Sequence, residues 1–264
     1  MYGYVTRGIL KWAYRLSVIW QSEHDESSTE VYSGTGFFVG AAGQPCLVTN
    51  RHLVDPTYGK KRTKKLSKIS IYGFEPTGGR FECCADASAL KLLYAKNDAE
   101  DVVVAVAMPG WKSILGSRMC WVQSDWHTYD DTFSKDVELC DFLTVPGYPE
   151  YFDQQNDKPI ARMGTIASDP SDDYRGPGQK SARRVAYEAF STSGNSGGPV
   201  LALSRGHPGD LQPDVPQYRQ AKLLGVNAGH FENRNTRSHE GISYFYRMQV
   251  VKDICDGAGL EINC

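Results

Sequence analysis

One hydroxyl stands out by its setting. Ser196 lies in the stretch STSGNSGGPV, with Gly194, Gly197 and Gly198 around it and Pro199 behind. A serine hydroxyl is a weak nucleophile near neutral pH and needs a base to take its proton. The base needs a carboxylate to hold it in the useful tautomer, and the oxyanion that forms needs backbone N–H groups aimed at it. The glycines can supply that last requirement: Gly194 can take backbone angles closed to other residues, turning its N–H and that of Ser196 toward one point. Of the six histidines, only His52 follows directly on an apolar run, CLVTNR. His24, His207 and His239 lie in polar stretches, His127 in an irregular one, and His230 follows GVNAG. Two carboxylates compete for the orienting role, Asp98 and Asp101. Asp101 directly precedes the apolar run VVVAVA, which would hold it rigid at a strand end, and it fits the role better. Singly, a histidine is usually structural and a glycine-flanked serine usually a turn. Together, in the order His, Asp, Ser, they describe nucleophilic catalysis at serine.

The elements that must position these residues are mostly short strands. LSVIW, GTGFFVG and CLVTNRHLV read as strands, the last two separated by the turn sequence AAGQP. SKISIYGFE and GRFECCADASALKLLYA continue the pattern, and DVVVAVAM is a run typical of a strand buried on both faces. A loose segment follows, and VELCDFLTVPGYP, IARMGTIAS, RVAYEAF, GPVLAL, AKLLGVNAG and GISYFYRM read as a second set of strands. GILKWAYR reads as a short N-terminal helix. The tail MQVVKDICDGAG, with Val250, Val251 and Ile254 on helical spacing, reads as a C-terminal one. The expected fold is all-β, with two barrels. Its divisions are an N-terminal extension (1–15), a first barrel with His52 and Asp101 (16–110), a connection (111–125), and a second barrel with Ser196 and the terminal helix (126–264).

Composition narrows the function. The chain has 264 residues, is 41% hydrophobic and 23% charged, and carries a formal net charge of -2, which gives no footprint for nucleic acid or an anionic membrane. The run KKRTKK (60–65) reads as a solvated loop. No apolar run approaches the length of a membrane span, and no secretory signal pattern is present at the N-terminus. The seven cysteines are irregularly spaced and form no CxxC, so neither a zinc site nor a redox pair is expected. They read as reduced thiols, and a cytoplasmic location follows from that. No metal and no cofactor are expected.

The blocks GTGFFVG…CLVTNRHLVD, EDVVVAVA and TSGNSGGPV resemble the histidine, aspartate and serine blocks of the trypsin/chymotrypsin-like serine peptidases. VPGYPEYFDQQNDKPIARMGTIAS is similar to a segment common in bacterial trypsin-like peptidase domains without export signals. The resemblance spans roughly residues 16–256. It implies two six-stranded barrels with the site in the cleft between them. His52 would be the general base, Asp101 the orienting carboxylate and Ser196 the nucleophile, with the N–H groups of Gly194 and Ser196 as oxyanion hole. Two departures stand out. Asn195 replaces the aspartate that pairs with a freshly cut N-terminus in the digestive enzymes, as it does in the Deg/HtrA-type and glutamyl peptidases. The cysteines that usually flank the histidine and serine blocks are also missing.

By the same resemblance, Phe190 lies near the floor of the substrate pocket, with Ser191 and Thr192 along its side. Ala228, Gly229 and His230 would offer backbone to a substrate strand. Asn227 stands where glutamyl enzymes carry a side-chain-binding histidine, and Gly241 would leave one wall open. No acid is visible at the floor, so preference for Lys or Arg is not expected. Small, polar or medium apolar side chains are, with His230 as the one feature favouring acidic residues. The partner is then a polypeptide substrate. The competing reading is a catalytically silent peptide-binding module of the same fold. A protease gated by a regulatory protein, through residues 1–15, 55–68 or 204–220, is a further one.

Overall fold

A computed structural model describes residues 6–25, 27–59, 63–107, 119–176, 178–206, 218–232 and 238–262. The elements are a 3-10 turn (Arg7–Trp12), β1 (Tyr14–Ser22), β2 (Thr29–Ala41), β3 (Gln44–Thr49), α1 (Arg51–Val54), β4 (Lys64–Phe74), β5 (Arg80–Asp86), β6 (Leu90–Tyr94) and β7 (Val103–Ala107). They continue with α2 (Asp130–Asp136), β8 (Phe142–Gly147), β9 (Ile160–Ile166), β10 (Arg184–Glu188), β11 (Pro199–Ala202), β12 (Lys222–Glu232), β13 (His239–Arg247) and α3 (Met248–Gly257). Much of the expected connection 111–125 lies outside the described residues, as do residues 1–5, 60–62 and most of 204–220.

The first half is one curled antiparallel sheet in the order β5-β4-β1-β2-β3-β7-β6. Strand β2 makes its corner: residues up to Gly36 pair with β1, and Phe37 onward pairs with β3. The hairpin between β2 and β3 closes through Ala42 (φ 48°) and Gly43 (φ 69°), the positive angles that a two-residue turn with the sheet's own twist requires. The second half is a closed six-stranded barrel, β10-β13-β12-β11-β8-β9. The architecture is therefore the expected chymotrypsin-like pair, with the first member a seven-stranded half-barrel sheet.

Burial follows the pattern of each run. β5 alternates exposed and buried residues, as a strand with one solvated face does, whereas all of β7 is buried. Each half has its own core: Tyr14, Leu16, Phe38 and Ile71 in the first, Phe133, Leu143, Tyr187 and Phe245 in the second. A third cluster joins them, in which Phe37, Val48 and Val104 meet Leu201, Val226 and the Val250, Val251 and Ile254 face of α3. Each such side chain contributes about 1.5–3 kcal/mol on burial, so this layer fixes how the two halves meet. Helix α2 carries no periodic apolar stripe in sequence. It forms around a capping box at Tyr129 and Thr132, with Asp130 and Asp131 in its first turn, where carboxylates favour the helix dipole. Among the described residues, no helix is long and apolar enough to cross a membrane.

Candidate active site

Helix α1 is a single turn at the end of β3, and its first residues are tied to the strand that carries Asp101. Asn50 Nδ2 donates to the Asp101 carbonyl (2.8 Å), and the Arg51 N–H reaches the same oxygen (3.3 Å). The Asp101 carboxylate then takes both donors of His52: the backbone N–H at Oδ1 (2.8 Å) and Nδ1 at Oδ2 (2.5 Å). A carboxylate on Nδ1 fixes the tautomer with Nε2 free to accept a proton. Asp98, the competing acid, is elsewhere. Its side chain is 84% exposed and pairs with Arg51 Nη1 (3.1 Å). The neighbour of Asp101 is also clamped: Glu100, almost fully buried, takes Arg183 in a two-pronged pair (2.8 and 2.9 Å).

The serine loop enters from the second barrel and is held by the first half. Thr35, in β2, donates its hydroxyl to the Gly194 carbonyl (2.7 Å) and its N–H to the Ser196 carbonyl (2.9 Å). From the barrel side, Gly197 N–H reaches the Asn227 carbonyl and Asn227 N–H the Gly198 carbonyl, both at 2.8 Å. Gly197 has φ 85°, and a Cβ there would lie 2.1 Å from Thr49 Oγ1. Only glycine permits both the turn and the approach. Gly194 has φ 91°, and a Cβ on it would lie 2.2 Å from the Tyr148 carbonyl oxygen.

The donor geometry follows from the peptide plane. The Ser193 carbonyl accepts from Glu150 N–H (3.2 Å), so the N–H of Gly194, trans across the same peptide, points the opposite way. Asn195 N–H is used on the Thr192 carbonyl. Among the described residues, the N–H groups of Gly194 and Ser196 donate to no protein acceptor. Asn195 itself is 1% exposed, and neither of its side-chain amide atoms has a hydrogen-bond partner.

The residues expected around the substrate pocket divide. Asn227 is fully buried and saturated: Nδ2 donates to Ser191 Oγ (3.1 Å) and the Asn195 carbonyl (2.9 Å), while Oδ1 accepts from Tyr187 OH (2.8 Å). It braces the loop and does not face a substrate. Phe190 is 61% exposed and lines an open recess of about 540 Å³ with Gly241, Glu188 and Glu240. Its ring stacks on His239, centroids 5.0 Å apart. Ser191 is buried and its N–H faces His239 Nε2 (3.2 Å). Thr192 is half-buried, with its hydroxyl oxygen unpartnered. Ala228, Gly229 and His230 lie along β12. Gly241 has φ 83° and open space where a Cβ would stand.

The sequence reading passed over His239, Arg162, Thr35 and Ser243. Thr35 sits between two glycines with no chemical signal, and His239 lies in a polar stretch two residues before Gly241. His239 stacks on His230 (4.4 Å between centroids), and burial, then the positive fields of His230 and Arg162, hold its pKa below the usual histidine value. A recess of about 520 Å³ lies beside Asp101, against Tyr58 and Tyr244. A larger one, about 930 Å³, lies between β6 and α3, lined by neither His52 nor Ser196. Among the described residues, no His, Cys, Asp or Glu cluster could hold a metal ion.

Two barrel-like halves with a histidine–aspartate shelf on one and a glycine-bound serine on the other define the chymotrypsin-like peptidase class. The chain belongs to the trypsin-like peptidase domain family, whose profile matches residues 34–208. Among solved structures it is similar to Deg5 (16% identity, TM-score 0.54, covering 92% of this chain and 86% of that one). It is also similar to the Rv3671c protease from M. tuberculosis in its active form (16% identity, TM-score 0.51, covering 94% and 81%). At that identity the likeness is one of fold. No curated protein matches the chain.

Proposed function

We propose that the chain is a serine endopeptidase that cuts polypeptides through an acyl-enzyme. His52 Nε2 takes the proton of Ser196 as Oγ attacks the scissile carbonyl, and Asp101 steadies the imidazolium through Nδ1. The oxyanion accepts from the N–H groups of Gly194 and Ser196. His52 returns its proton to the leaving amine, and a water repeats the sequence on the ester. The substrate strand lies along Ala228–His230.

The single observation that carries this reading is the double grip of Asp101 on His52, at 2.8 and 2.5 Å. A histidine serving only the fold has no need of a buried carboxylate on both its backbone and its ring. Activation by a new N-terminus is not part of the proposal, because Asn195 offers an ammonium no charge to pair with. The six described cysteines are free thiols, which supports a reducing setting such as the cytoplasm. A fluorophosphonate probe tests the chemistry: the chain labels, and Ser196→Ala does not. A folded wild-type protein that stays unlabelled, with peptide substrates uncut, would overturn the proposal in favour of a peptide-binding module.

A further inference from the structure

We propose that the specificity pocket takes an acidic side chain, so that the chain cuts after glutamate or aspartate; this rests on the peptidase reading above. The residues that would frame it are buried Ser191, five residues ahead of Ser196, and half-buried His239 and buried Ser243 of β13. Ser191 and the serine loop are tied together by the Asn227 amide, so this frame and the reacting centre keep a fixed relation.

The donors in the frame are mismatched among themselves. Gly241 N–H donates to His239 Nδ1 (2.7 Å), and Ser191 N–H faces Nε2 (3.2 Å). A neutral imidazole carries one proton and accepts at only one nitrogen. The shorter contact makes Nδ1 the acceptor, so the proton sits on Nε2, turned toward the Ser191 N–H. Ser243 Oγ, with its own hydrogen given to the Ala189 carbonyl (2.9 Å), offers Nε2 only a long contact (3.4 Å). Two donors thus converge on one region. A carboxylate, with lone pairs and no hydrogen, accepts from both. A side-chain amide brings one acceptor and two further donors.

His230 and Arg162 act on His239 as positive charge, with Glu232 opposing them. Arg162 reaches across from β9 to the Phe190 carbonyl (2.7 Å), and its Nε is buried without a partner. Burial is the main reason that His239 resists a second proton, and the fields of His230 and Arg162 come next; those fields favour an anion beside the ring. Of the nearby carboxylates, Glu232 holds His230 (3.5 Å), and Glu188 and Glu240 line a recess against Phe142, Met163, Phe190 and Gly241 to which Ser191, His239 and Ser243 do not contribute. A lysine or arginine side chain would meet Arg162 and donors that it has no lone pair to accept from.

The test profiles the residue before the cut on peptides matched at every other position, beside fluorophosphonate labelling of the same preparation. Glutamate or aspartate should exceed its amide counterpart in kcat/KM by about tenfold to a hundredfold, the worth of hydrogen bonds to a charged group. His239→Phe, which keeps the ring stack and removes the donor, should collapse the Glu-to-Gln ratio toward one. As a ratio, that readout is independent of how much variant folds. Labelling with equal cleavage after Glu and Gln, or with preference for basic or apolar residues, overturns the pocket assignment and leaves the peptidase reading standing. Absence of labelling overturns the peptidase reading itself.

Discussion

The proposed reacting centre and the proposed specificity pocket are built on different principles. Every group at the centre is held from both halves: Thr35 of the first sheet grips the serine loop, and Asp101 grips His52 on a shelf that Glu100 and Arg183 tie to the second barrel. Its hydrogen bonds are complementary, donor to acceptor. The pocket is built from the second barrel alone, by β9, the serine loop, β12 and β13, and there donors meet donors. A centre that requires both halves cannot form until both have folded and docked. A pocket carried by one barrel can change its side chains without disturbing that assembly. Chemistry here is a property of the junction, and selectivity a property of one part.

That contrast is broken most directly at Asp101. Asp101→Asn keeps the shape but offers His52 Nδ1 an amide in place of a carboxylate, so the imidazole loses its enforced tautomer. The expected loss in kcat is about 10⁴-fold, with the ranking of cleavage sites unchanged. A variant that shifted the ranking would show that the two regions are not separable. Gly194→Ala acts next. Its φ of 91° and the Tyr148 carbonyl oxygen at 2.2 Å from an added Cβ force the loop to move, turning one oxyanion donor away. The expected cost is about 10²–10³-fold in kcat with KM little changed, read by steady-state kinetics on one peptide.

The same contrast explains what was legible in the sequence. The centre's residues each sit in a run whose pattern is local: His52 after an apolar strand, Asp101 before a buried one, Ser196 among glycines whose positive φ the loop requires. Strand periodicity likewise yields most of the barrel elements. The choice between Asp98 and Asp101 rested on which acid adjoins the buried run, and the ion pair of Asp98 with Arg51 separates the two in space. The pocket is not local. His239 comes from a polar stretch and meets Ser191 across 48 residues, and Arg162 reaches Phe190 across 28. No spacing rule encodes such meetings. Asn227 is placed at the pocket by its resemblance to the position of a side-chain-binding histidine in glutamyl enzymes, but its side chain is buried and bonded to Ser191, Asn195 and Tyr187. Helix α2 was missed because capping, not apolar periodicity, makes it.

Asn227 is the one side chain that joins the two regions, so it sharpens the comparison. Asn227→Ala frees Ser191 Oγ and the Asn195 carbonyl and takes the Oδ1 acceptor from the buried Tyr187 hydroxyl, leaving it only Ser191 and Ser243. Loss of that acceptor costs about 1–3 kcal/mol, to be read from chemical denaturation. Both kcat and the Glu-to-Gln ratio should fall, each by about tenfold, since one lost hydrogen bond now loosens both places. A change confined to kcat would mean that Ser191 is positioned by other contacts.

The smallest effect expected comes from a residue in neither region. His127 is buried, accepting at Nδ1 from Tyr129 OH (3.0 Å) and donating from Nε2 to the Val122 carbonyl (3.2 Å). Those bonds satisfy the neutral ring, and burial pulls its pKa from 6.5 down to about 4. An unfolded chain therefore binds a proton here at a pH where the folded one does not. Stability is full above pH 6.5 and falls progressively as pH drops to about 4, below which both states are protonated. The total is about 3 kcal/mol at most. Urea midpoints measured across that range, in a Ser196→Ala background to prevent self-digestion, should fall more gently in His127→Gln than in its parent. Parallel slopes would place the acid sensitivity elsewhere. With the acid unfolding mapped in this way, any loss of activity at a pH where the fold still holds belongs to the cleft, and its shape can be assigned to the centre or the pocket by whether the Glu-to-Gln ratio moves with it.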